Sequence, residues 1–116
     1  MQATRSFFEG VPPDAAEAAL ATLERRRFPA GTVIVAEGDY LAEMYVLREG
    51  TADVVLVDRK GAEHFVNTVH AGEAIGEMSL LTRTPASATV RAAEHVELAV
   101  VKGHQLEGLL DALPQL

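Results

Sequence analysis

Gly76-Glu77-Met78-Ser79-Leu80-Leu81-Thr82-Arg83-Thr84-Pro85-Ala86-Ser87-Ala88-Thr89-Val90 decides how this chain is read. Its first six residues suit a single helical turn, too short for a structural helix, and a β-prone run begins at Ser87. A helical turn set between two strands calls for an explanation. Gly76 opens it, and without a Cβ the backbone there can approach a ligand closely. The amides of Glu77, Met78 and Ser79 find no partner inside so short a helix and face out of its start, which favours an anion. Pro85 stiffens the return, and Ser87 offers a hydroxyl just before the next strand. A phosphate fits such a place. Glu77 has the wrong charge for that phosphate, but its carboxylate suits the hydroxyls of a sugar.

On either side the pattern is that of short strands. Thr32–Ala36, Glu43–Leu47, Thr51–Val57, His64–Val69, Ser87–Arg91 and Val96–Val101 are β-prone, and Gly38, Gly50, Gly61 and Gly72 mark the turns between them. Regular short strands with glycine at the corners predict a mainly β fold, an antiparallel barrel, sandwich or jelly roll. Asp58-Arg59-Lys60-Gly61 reads as a hairpin connection. A helix precedes the roll. Pro12-Pro13-Asp14 is a start signal, Ala16, Ala19, Leu20 and Leu23 form an apolar stripe, and Arg25-Arg26-Arg27 are expected to close it as cations at the carbonyl end. Leu106, Leu109, Leu110 and Leu113 give a second stripe, which Pro114 stops. The expected organisation is one domain over 1–116, with a helical segment at 1–28, the roll at 29–101 and a helix at 102–116.

Composition bounds the function. The chain has 116 residues, 10 basic and 17 acidic side chains, a formal charge of −7 and no cysteine. That length can bury a core without staples, and the missing thiols remove disulfides, thiol nucleophiles and the commonest zinc clusters. The acidic balance argues against a nucleic-acid grip, and no apolar run reaches the roughly 18–20 residues of a membrane span. His64, His70, His95 and His104 show no His-x-His spacing for a metal, so a cupin-like metal enzyme is a distant alternative. Ser79 and Ser87 lack the glycine-flanked setting of a nucleophile. Met44, Met78, Phe7, Phe8, Phe28 and Phe65 read as core or helix contacts. No catalytic residue, metal ligand or cofactor is expected.

The stretch from Gly76 to Val90 resembles the phosphate-binding cassette of cyclic nucleotide-binding domains, which occur in catabolite-activator-type regulators, kinase regulatory subunits and ion channels. Phe28-Pro29-Ala30-Gly31-Thr32-Val33-Ile34 with Glu37-Gly38-Asp39 looks like that family's first strand and turn. Tyr45-Val46-Leu47-Arg48-Glu49-Gly50 looks like its next strand and corner, and Ala71-Gly72-Glu73-Ala74-Ile75 like its approach to the cassette. The resemblance implies an antiparallel β-roll with a cyclic nucleotide, cAMP or cGMP, inside it. Gly76, Glu77, Met78, Ser79, Ala86, Ser87 and Ala88 would surround phosphate and ribose, and Val54, Val66 and Val69 would line the pocket. One departure weakens that expectation. Ala86 stands where the family pattern has an arginine, so a charge-assisted fork to the phosphate is missing. Losing such a partner costs about 2–5 kcal/mol. Arg83 is the local cation that could replace it.

The function expected is therefore a non-catalytic regulatory module with weakened nucleotide affinity. The alternatives are another small molecule lacking a phosphate, or a pseudo-sensor acting as a ligand-independent interaction module. The resemblance also implies an effector domain outside this chain, a lid helix beyond Leu116 and a cytoplasmic setting, free or as part of a membrane protein. Neither nucleic acid nor membrane is expected to touch this domain.

Overall fold

In the computed structural model, which describes residues 13–112, the chain runs α1 (Pro13–Ala21), β1 (Glu24–Phe28), β2 (Val33–Val35), β3 (Glu43–Glu49), β4 (Ala52–Val57), β5 (Glu63–Val69) and β6 (Ala74–Ile75). It continues through α2 (Glu77–Thr82), β7 (Thr89–Ala92), β8 (Val96–Lys102) and α3 (Gly103–Ala112). Phe7, Phe8, Pro12, Leu113 and Pro114 lie outside the described residues, as do the side chains of Ala16, Leu109 and Leu110. The strands form two four-stranded sheets in the orders β1-β8-β3-β6 and β2-β7-β4-β5. All the pairings are antiparallel, as the mainly β reading expects.

Two strands of the first sheet are apolar on both faces, because each face meets a different core. Tyr45 and Leu47 of β3 and Val96, Leu98 and Val100 of β8 point between the sheets, where they meet Val35, Ala52, Val54, Val69 and Val90. Met44 and Val46, with Ala99 and Val101, point the other way and pack against Leu20 of α1 and Leu106 of α3. Alternation of side chains along a strand makes this division. Fully burying a valine or leucine is worth about 1.5–3 kcal/mol, so these strands anchor both layers. The Asp58 hairpin forms as expected: Gly61 N–H donates to Asp58 C=O at 3.0 Å, and the Asp58 carboxylate accepts from the amides of Lys60 and Ala62 at 2.8 and 2.9 Å.

The first segment needs a correction. The helix ends at Ala21, and Arg25–Arg27 belong to a strand, not to a helix terminus. The roll therefore starts at Glu24, ahead of the expected boundary at residue 29. β1 pairs with β8 from Glu24↔Val100 to Phe28↔Val96. The cause is long-range. Phe28 packs on the inter-sheet core, while Arg25 and Arg27 grip Glu97 of β8 at 3.1 and 3.0 Å from the opposite face. Arg26 reaches Glu24 at 2.6 Å and Glu43 at 2.8 Å. Acids distant in sequence settle what local propensity assigned to a helix.

Candidate ligand site

β6 pairs Ile75 with Tyr45 and delivers the chain to Gly76. Gly76 turns it out of the sheet at φ 83°, ψ 9°, a left-handed conformation natural to glycine. A Cβ there would stand 2.5 Å from Leu41 Cδ1. The Leu80 N–H then donates to Gly76 C=O at 3.1 Å, closing the first turn of α2. The expected helical turn is thus present, with glycine favoured by its left-handed backbone.

Ser79 fastens the other end. Its carbonyl accepts from the N–H of Arg83, the C-cap, and from that of Thr84 at 3.2 Å. Its hydroxyl donates to Thr84 C=O at 2.5 Å. The return segment is stapled to the turn after β2: Gly38 N–H donates to Ala86 C=O, and Ala86 N–H to Asp39 C=O, both at 2.8 Å. Thr89 Oγ1 accepts from the Glu37 amide at 3.0 Å.

The side chains divide by face. Ala86 and Ala88 are buried and join Val54, Val69 and Ile75 in the inter-sheet cluster, with Val66 packed partly against it. Ser87, between the two alanines, is exposed. Positions 86 and 88 are therefore ones from which a side chain would enter the roll. Met78 is 61% exposed, and the Ser79 hydroxyl is turned to Thr84, which leaves those two residues their backbone alone to offer an anion. Burial pushes the half-buried Glu77 carboxyl above the usual range, its own amide only partly offsetting this. A neutral or hydrogen-bonded acid is favoured there.

Arg83 faces elsewhere. It has φ 55°, the one positive value for a non-glycine among the described residues. It lines a pocket of about 540 Å³ with Tyr40, Leu80, Leu81 and Leu106 of α3. Leu80 and Leu106 belong to the helical-side core, so this pocket lies on the helical flank of α2. The sequence reading missed it because its walls come from three separated segments. The four histidines are exposed, and His64 Nε2 lies 2.8 Å from Asp58 Oδ2 in the hairpin. Among the described residues no group of three or more His, Asp or Glu side chains converges on a metal position. No helix among them is long and apolar enough to cross a membrane.

The fold is thus an antiparallel roll interrupted by a glycine-opened helical turn, with apolar positions 54, 66, 69, 86 and 88 gathered in or against its inner cluster. The profile of the cyclic nucleotide-binding domain family matches residues 25–112, and the chain belongs to that family. It is 31% identical over 108 residues to the cyclic AMP receptor protein of Thermus thermophilus, covering 93% of this chain and 50% of the relative. It is 36% identical over 70 residues to a cAMP-dependent protein kinase regulatory subunit of Blastocladiella emersonii, covering 60% of this chain and 17% of the relative. The chain thus spans half or less of these curated relatives.

Among solved structures, the Thermus thermophilus catabolite activator protein superposes with a TM-score of 0.81 at 29% identity, over 92% of this chain and 50% of that one. The regulatory subunit of a cAMP-independent protein kinase A from Trypanosoma brucei gives 0.77 at 27% identity, over 92% and 39%. A triple mutant of that subunit, one of whose changes introduces an arginine, is bound to cAMP in its A site and gives 0.75 at 27% identity, over 90% and 39%.

Proposed function

We propose that the chain is a non-catalytic sensory module that takes a cyclic nucleotide into the roll weakly, because no arginine reaches the phosphate from position 86. The observation that carries this is the orientation of Ala86: it is 8% exposed and packed among the inter-sheet residues. It thus occupies the point from which a guanidinium would meet a bound phosphate. Arg83 lines the helical-side pocket and is exposed, so we read it as not filling the gap. The Trypanosoma brucei pair supports the same reasoning by analogy, a cAMP-independent subunit and an arginine-gaining variant bound to cAMP.

In this reading Glu77 accepts hydrogen bonds from ribose and the Gly76 turn faces the phosphate. Movement of α2 passes to α3 through Leu80 and Leu106, and from there to an effector attached to this module in a cytoplasmic protein. A ligand shifts such an equilibrium only by its preference for one state. A weak phosphate contact therefore makes a weak switch.

A second reading, a pseudo-sensor that binds no nucleotide, draws on one observation. Ala86, Ala88, Val54 and Val69 are each at most 8% exposed, so the roll interior is already filled by its own side chains. Following amide chemical shifts during addition of cAMP or cGMP tests the choice. Saturable shifts at residues 76–79 and 86–88, with half-saturation well above micromolar, support the sensor. An unchanged spectrum at millimolar ligand assigns the pseudo-sensor.

A further inference from the structure

The pocket between α2 and α3 opens on the helical flank of the cassette, away from the inter-sheet cluster, and we propose that it is a second small-molecule site, for a soluble amphipathic monoanion. Three features converge there. The cavity is about 540 Å³ and walled by Tyr40, Leu41, Leu80, Leu81 and Leu106, within the size and apolar character of ligand sites. Tyr40 and Leu81 are 73% and 52% exposed, and Met78, one helical turn from Leu81, is 61% exposed. Exposed large apolar side chains gathered on one spot mark a binding surface.

The third feature is Arg83. It lines the cavity, makes no ion pair among the described residues, and occupies a left-handed C-cap that glycine or asparagine ordinarily fills. A guanidinium held in no ion pair beside an apolar cavity complements a ligand with an apolar body and one anionic head, which a planar fork can hold in two bonds. Glu107 of α3 also lines the cavity, and its charge disfavours a phosphate dianion more than a monoanion. An occupant would touch α2 and α3 together and hold them in one relative position. This proposal stands apart from the nucleotide reading and is tested without nucleotide.

A matched pair of fluorescent probes suits the test. 8-Anilinonaphthalene-1-sulfonate carries an aromatic body and a single negative charge, and N-phenyl-1-naphthylamine has the same body without the charge. The 116-residue chain is expected to bind the sulfonate at least fivefold more tightly than the neutral probe. Arg83→Gly, which suits the left-handed backbone and so keeps the fold, is expected to weaken the sulfonate at least fivefold and to leave the neutral probe within twofold. Amide shifts caused by the sulfonate are expected at residues 40–42, 79–84 and 103–107. Equal affinity for both probes, an Arg83→Gly variant that binds the sulfonate like the parent, or shifts centred on Leu56 and Phe65 would each overturn the proposal. Arg83-dependent co-sedimentation with phosphatidylglycerol vesicles would overturn it too, by assigning the surface to a lipid headgroup.

Discussion

Gly76 and Gly61 share nearly the same backbone, φ +83° and +85°, yet a methyl group meets different surroundings at each. At Gly61 nothing lies within 4 Å of an added Cβ, whereas at Gly76 Leu41 Cδ1 lies at 2.5 Å. Gly61→Ala is expected to cost about 1–2 kcal/mol, the left-handed penalty alone. Gly76→Ala also makes the free end of the Leu41 side chain shift, and is expected to cost somewhat more, about 1–3 kcal/mol. Urea unfolding checks the difference: both midpoints fall with unchanged slope, and the Gly76 variant falls further. Glu43 sets a pH dependence. Burial pushes its carboxyl up, but hydrogen bonds from Lys102, Arg26 and Tyr45 outweigh that and hold it at about 2, against an ordinary 4.5. A depressed carboxyl stabilises the fold above its unfolded pKa, so this contribution is complete above about pH 4.5 and is lost as pH falls toward about 2. The loss is expected to be about 2 kcal/mol. Glu43→Gln should flatten the stability profile across that window, measured by urea midpoints at stepped pH; a slope equal to the parent's would contradict the assignment.

β1 shows how an element escapes a local reading. Glu24-Arg25-Arg26-Arg27-Phe28 has almost no apolar alternation, and four charged residues after an apolar helical stripe look like a helix end. What makes it a strand is Glu97, buried at 6% exposure on β8 between Arg25 and Arg27, together with the fit of Phe28 into the inter-sheet core. Glu97→Gln is expected to loosen β1 from β8, and amide hydrogen exchange should rise at residues 24–28 while residues 44–47 keep the parent's protection. Uniform protection in both variants would show that the arginine grip contributes nothing. β6, two residues long, carries no periodic signal either. By contrast β3, β4, β5 and β8 were legible because their valines, leucines and aromatics recur between glycine turns. α2 was legible because Gly76 and Pro85 bracket a run that no strand pattern fits.

The whole molecule is two cores sharing one sheet, with α2 at the border between them. Its Gly76 end joins the roll interior through Ile75 and Leu41, and its Leu80 end joins the helical layer. The family resemblance, not spacing, pointed to Val54, Val66, Val69, Ala86 and Ala88, and these side chains do pack in or against one inter-sheet cluster. It did not locate the outer pocket, which exists only once residues 40–41, 79–83 and 103–107 are folded together. Nor did it show that Arg83 faces outward, because the left-handed cap that turns it depends on Ser79. The formal charge of −7 makes an internal phosphate costly unless a cation meets it, and position 86, where the resemblance implies an arginine, carries alanine. Calorimetric titration of the chain and of Ala86→Arg with cAMP and cGMP tests this most directly. The account predicts a gain of about tenfold or more on restoring the arginine, equivalent to at least about 1.4 kcal/mol. Tight binding that is equal in the two proteins would contradict it.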